Sequence, residues 1–242
     1  MFRRRLKLEE HQENSFWISY TDILSSLLII ILLVTAYVVF ELMITKQNVV
    51  QNLEEVTKAE LVRKEILTEV QKKLLEDGLE VNITDNFSVL RIPESTLTFR
   101  SNNYFIPKGM KKNLDIIGSV LLEVLNKQNR TEYFDTIFIE GHTDIRSTDR
   151  EMGNWGLSTF RAISVWNFWV SNVSKDYENL LNSDREKLFS VSGYGESRPT
   201  TDSQKNEEEY KKNRRIDIRF TLRKPTSVDF SKILNLFDAI EQ

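Results

Sequence analysis

The chain has 242 residues, a formal net charge of −3, no cysteine, and only two histidines, His11 and His142. That composition excludes disulfides, thiolate metal sites and multi-histidine metal sites, and it carries no basic excess that would point to nucleic acid. With 8 glycines and 4 prolines, long flexible linkers are not expected either, and the length suits one anchor plus one folded domain.

Residues 1–15 form a polar tail carrying Arg3, Arg4, Arg5 and Lys7. An apolar run follows from Phe16 to Phe40, and from Ile23 to Phe40 it holds no charge at all. A bilayer core needs roughly 20 such residues, and no small-residue cleavage site follows the run. We therefore expect an uncleaved transmembrane helix over residues 16–44. The basic tail places the N-terminus in the cytoplasm and the remainder in the periplasm. The one acid in the span, Asp22, lies about 9 Å inside Phe16 at a rise of 1.5 Å per residue. A carboxylate there costs on the order of 2.5–3.5 kcal/mol. Ser25 and Ser26 share its helix face, three and four residues on, and Ser19 lies three before. That polar stripe reads either as an ion-carrying carboxylate with accessory hydroxyls or as an acid snorkelling to the headgroups.

Residues 45–78 are helix-compatible and lack proline, with Gly78 as the stop. Val49, Leu53, Val56, Leu67, Val70 and Leu74 alternate spacings of three and four, with Glu60 and Arg63 interrupting the seam. This predicts either a short parallel coiled coil, and so a homodimer, or one amphipathic helix lying on its own domain. In both cases the transmembrane helix continues into it without a break.

From residue 79 to residue 242 the pattern becomes that of an α/β domain, an α+β sandwich of helices on a mixed sheet. Leu79–Ile83 and Val89–Arg91 alternate as strands around an Asp85-Asn86 turn. Ser95–Ile106 reads as a structured loop, and Pro107-Lys108 opens a helix with Leu114, Ile117, Leu121, Leu122 and Leu125 at helical spacing. A strand over Phe134–Glu140 precedes a helix from Trp155 to Val173 that buries Ala162, Val165, Trp166 and Trp169. A strand over Leu188–Ser192, a polar helix over Ser203–Asn213, a strand over Arg215–Leu222 and a terminal helix over Val228–Ile240 complete the chain.

Chemistry-bearing residues concentrate in Gly141-His142-Thr143-Asp144, Asn154-x-x-Leu157-Ser158-x-x-Arg161-Ala162, Gly193-Tyr194-Gly195-Glu196-Ser197-Arg198-Pro199 and Asn213-Arg214-Arg215. Asp144 and Arg161 together could grip a ligand bearing an ammonium and a carboxylate, which arginine binds bidentately, or could simply pair with each other. His142 has no serine or cysteine nucleophile placed with a second acid, so it reads as a structural residue, and no enzyme, cofactor or metal is expected.

These four motifs, in this order, resemble the OmpA-like peptidoglycan-binding domain. The resemblance implies that Asp144 and Arg161 bind the diaminopimelate of the peptidoglycan peptide stem, with Asn154 and Leu157 beside it. The Asp144–Asn154 loop is longer than is usual there, and Gly153 and Tyr210 stand where an aromatic and an arginine are frequent. A domain of this kind behind a single span with Tyr20-x-Asp22 near its start resembles the MotB group of ion-driven stator subunits, and within it the ZorB branch of the Zorya anti-phage systems. That resemblance implies an inner-membrane subunit that dimerises inside a ring of a MotA/ZorA-like partner, passes H+ or Na+ at Asp22, and is anchored by peptidoglycan. A flagellar stator subunit and a passive wall anchor are the alternatives.

Overall fold

The computed structural model describes residues 2–201 and 203–225, with side chains from residue 17 onward; the terminal helix expected over Val228–Ile240 lies outside them. Helix α1 runs unbroken over Phe2–Glu76. Its part up to Leu53 belongs to one compact unit, and the rest to a second unit, Glu54–Pro225. Between Trp17 and Ile44 the large apolar side chains of α1 are exposed, and the helix is long and apolar enough to cross a membrane. It ends in a Schellman motif: Gly78 adopts φ +77, its N–H donates to Leu75 O (3.0 Å), and that of Leu79 to Leu74 O (2.8 Å). The left-handed conformation is the one glycine adopts without steric cost.

The second unit is built on a five-stranded mixed sheet of β1 (Asn82–Thr84), β2 (Val89–Pro93), β3 (Phe134–His142), β4 (Phe189–Gly193) and β5 (Arg215–Leu222). The spatial order is β1-β2-β5-β3-β4. Only β3 and β4 are parallel, the other neighbours being antiparallel. Helices α2 (Lys111–Leu125) and α3 (Gly153–Phe168) and the short α4 (Glu207–Asn213) complete the unit. Alternation along the strands sends Leu90, Ile92, Ile137, Ile139, Ile216, Ile218 and Phe220 into the core, where they meet Leu114, Ile117, Leu121, Ala162 and Val165 of α2 and α3.

The end of α1 is part of this core. Ile66, Leu67, Val70 and Leu74 are fully buried in it, so the lower half of the expected coiled-coil seam packs on its own domain. Its upper half, Val49, Leu53 and Val56, remains exposed. The physical reason is that a three-four apolar spacing presents one stripe, and a sheet covers that stripe as well as a second helix does. The expected boundary at residue 79 accordingly cuts through the domain core.

Three further boundaries differ from expectation. The first strand is confined to Asn82–Thr84, although Leu79 and Val81 are buried. The helix α4 begins at Glu207, with the Asn206 side chain accepting from Glu209 N and three acids in its first turn. The long helix stops at Phe168 and closes in one π-helical turn, Trp169–Val173, which seats Trp169 fully buried with its indole N–H 2.9 Å from Leu114 O.

Candidate functional site

The C-terminal ends of β3 and β4 approach α3 so closely that side chains are excluded. Gly141 and Gly193 are cross-strand partners; a Cβ on the first would lie 2.0 Å from Ser158 O and one on the second 2.2 Å from Thr159 Oγ1. The loop after β4 is tied to the end of β3 by Tyr194 N to Gly141 O (3.0 Å) and Thr143 N to Gly195 O (2.9 Å). Gly195 N also donates to Ser158 Oγ (2.9 Å). The residue leaving β3, Asp144, is thereby fixed beside the first turns of α3.

Asp144 is buried, and both its oxygens are occupied. Oδ1 accepts from Arg146 N (3.0 Å) and Arg146 Nε (3.1 Å). Oδ2 accepts from Arg146 Nη2 (2.6 Å) and Arg214 Nη1 (2.7 Å). Burial alone would raise its pKa, but the hydrogen bonds from Arg146 and Arg214 outweigh it and hold the carboxyl below the usual range. Arg214 is itself clamped bidentately by Glu94 (2.7 and 2.6 Å) and by Glu207 (2.6 Å). Arg146 is half exposed, reaches Glu207 (3.2 Å), and lies over the Tyr210 ring at 4.3 Å.

Arg161 is a different kind of cation. It is buried, stands over the Phe99 ring (5.1 Å), and donates to the backbone carbonyls of Asn103 (3.0 Å) and Arg100 (3.4 Å). Among the described residues it makes no salt bridge. Burial pulls its pKa down to about 10, which leaves it charged at neutral pH. The salt bridge considered between Asp144 and Arg161 does not form, because Arg146 and Arg214 hold Asp144.

Asp144, Asn154, Leu157 and Arg161 nevertheless line one cleft of about 410 Å³. Asn154 serves the cleft wall: its amide donates to the carbonyls of Arg146 (3.0 Å) and Asp144 (3.4 Å) and so staples the loop. Leu157 is buried and supplies an apolar surface. Arg214, Glu94, Phe99 and Arg146 also line the cleft and were not foreseen as site residues. Arg214 stood in the Asn-Arg-Arg motif; Glu94, 120 residues from its partner, had no local signal.

On the opposite sheet face, Glu140, His142 and Asp217 bring ligand-type atoms within 4.8 Å of one another. Arg91 and Arg215 take both oxygens of Asp217 (each contact 3.0 Å), and Arg219 takes one of Glu140 (2.9 Å). This is an ion-pair ladder in which three arginines meet two carboxylates, and its arginines disfavour a bound cation. His142 is buried, stacked on Tyr194, and neither ring nitrogen has a hydrogen-bond partner. Burial, then the positive field of Arg215, pushes its pKa to about 3, so it is neutral and structural.

In the separate N-terminal unit, Asp22, Ser25 and Ser26 are exposed on α1. The Ser26 hydroxyl donates to the backbone carbonyl of Asp22 (2.8 Å).

Residues 98–214 match the OmpA family. The chain is 30% identical to motility protein B of Bacillus subtilis over 162 residues, 66% of this chain and 54% of that protein, so it spans about half the length of that relative. It is 24% identical to Zorya protein ZorB of Escherichia coli over 97% of this chain and 94% of that protein. A crystal structure described as MotB-like, from Desulfovibrio vulgaris, has the same fold, with a TM-score of 0.51 at 19% identity over 72% of this chain and 99% of that one. The chain is thus similar to ZorB and MotB proteins: a long apolar N-terminal helix precedes a mixed-sheet domain, and residues 98–214 of that domain match the OmpA family.

Proposed function

We propose that this chain is a stator-type subunit of an inner-membrane motor, carrying an ion at Asp22 and anchoring the complex to peptidoglycan through the Asp144–Arg161 cleft. The observation that carries the anchoring half is the buried guanidinium of Arg161, which makes no salt bridge among the described residues, inside a cleft that also presents Asp144. A desolvated guanidinium whose direct hydrogen bonds go to backbone carbonyls rather than to a carboxylate is a seat for one, and Asp144 is an acceptor for an ammonium. The diaminopimelate of a peptide stem offers both groups on one carbon. The span supplies the other half: α1 exposes an apolar surface for lipid or partner helices, and Asp22 is an acid within it.

On this reading the N-terminus is cytoplasmic and the domain periplasmic, with two copies seated in a ring of a MotA/ZorA-like subunit and H+ or Na+ as the driving ion. The exposed stripe of Val49, Leu53 and Val56 is the contact between the copies. Anti-phage defence is favoured over motility by the match along 94% of ZorB against 54% of motility protein B.

The test is retention of the full chain, in detergent, on purified sacculi. Wild type is expected to be retained and to be eluted by free diaminopimelate, and a folded Arg161→Ala chain to be lost in the wash. Equal retention of the two would remove the cleft from the reading.

A further inference from the structure

Resting on that cleft assignment, we infer that Arg146 is a specificity-determining residue that competes with the ligand's ammonium for Asp144. A carboxylate offers about four acceptor positions. In this structure four donors already occupy them: the backbone N, Nε and Nη2 of Arg146, and Nη1 of Arg214. An incoming ammonium must therefore displace one of the two guanidinium groups. Arg214 is held on three sides by Glu94, Glu207 and Asp144, and its side chain is 15% exposed. Arg146 is the freer of the two, at 49% exposed, with only a 3.2 Å contact to Glu207 and the Tyr210 ring beyond Asp144. Its side chain can swing into solvent while its backbone N–H stays on Oδ1.

The consequence is selectivity. A ligand bearing only a carboxylate meets Arg161 and leaves Arg146 in place. A ligand bearing an adjacent ammonium gains Asp144 only by ejecting Arg146, so its affinity is reduced by the strength of that contact. Tyr210 beneath the guanidinium strengthens the closed arrangement, since an arginine over an aromatic face is attracted to it.

The test is calorimetric titration of the full chain in detergent with meso-diaminopimelate and, separately, with pimelate, which lacks both amines. Two variants are compared with wild type: Arg146→Ala removes the competitor, and Tyr210→Leu loosens it without touching Asp144. Arg146→Ala is expected to bind diaminopimelate about tenfold tighter, with a smaller gain in Tyr210→Leu, while pimelate binding does not tighten in either. Equal or weaker diaminopimelate binding in both variants, with wild-type binding intact, overturns the competition and leaves the cleft assignment standing. Tightening toward both ligands alike overturns it too, because the effect would then not concern the ammonium. If wild type and both variants bind neither compound, the cleft assignment and the competition fall together.

Discussion

Arg214 holds Asp144 with a 2.7 Å bond from Nη1 to Oδ2, although 70 residues separate them. This contact ties the loop after β3 to the start of β5, and it belongs to a group that also contains Glu94 and Glu207. Removing Arg214 leaves two largely buried carboxylates, Asp144 and Glu94, without their shared cation. Arg214→Ala is therefore expected to destabilise the domain by about 3 kcal/mol, read as a lowered urea midpoint with an unchanged slope.

The acid limb of stability should report His142. A histidine held near pKa 3 in the fold and near 6.5 when unfolded binds its proton in the unfolded state first. Its neutral burial contributes full stability above about pH 6.5, and that stability is lost progressively as pH falls from there toward 3. At pH 5 the loss is on the order of 2 kcal/mol. Asp144 and Asp217, whose pKa values are lowered, add their own loss only below the ordinary carboxylate range. His142→Phe should flatten the profile between pH 6.5 and 4.5 and leave the steeper limb below it, measured by denaturant titrations at each pH.

The two halves of the α1 stripe should respond differently to truncation. Leu67 is fully buried in the domain core, so Leu67→Ala should cost about 2–5 kcal/mol of domain stability. Leu53 is 65% exposed, and Leu53→Ala should leave that stability unchanged. In membranes, a single cysteine at Leu53 or Val56 should crosslink to its copy, and one at Lys58 much less. Crosslinking of equal extent at all three positions would argue against a paired stripe.

The contrast between these halves marks how far the chain could be read unaided. Period-two alternation identified the strands, since the core face of a sheet demands it: Ile137 and Ile139, or Ile216, Ile218 and Phe220, are buried in turn. Helical spacing likewise found α2 and α3. Spacing does not reveal what covers a stripe, and so Leu67, Val70 and Leu74 fitted a helix partner as well as their own sheet. The cleft was half legible. Asp144, Asn154, Leu157 and Arg161 lay in motifs, but the occupation of Asp144 by Arg146 depends on a side-chain orientation that no spacing encodes. Glu94 meets Arg214 only because β2 and β5 are neighbours.

Asp22 separates the proposed motor subunit from a passive wall anchor. An acid within the span is unfavourable by a few kcal/mol on insertion scales, and in the proposed motor a conducted cation would offset this by binding the carboxylate and leaving on the other side. One charge crossing 100 mV releases about 2.3 kcal/mol, the driving force available to the proposed motor. Ser26 gives its hydroxyl to the backbone carbonyl of Asp22 and not to its carboxylate. Asp22→Asn keeps size and hydrogen bonding but removes the counter-charge and the exchangeable acid. It is expected to preserve expression, membrane insertion and co-purification of the ring partner while abolishing protection in phage plating assays. Asp22→Glu, one methylene longer, should retain a small fraction. Ser26→Ala should leave protection nearly intact, because its bond is to the backbone and not to the carboxylate. Full protection by Asp22→Asn would leave the passive wall anchor as the surviving account.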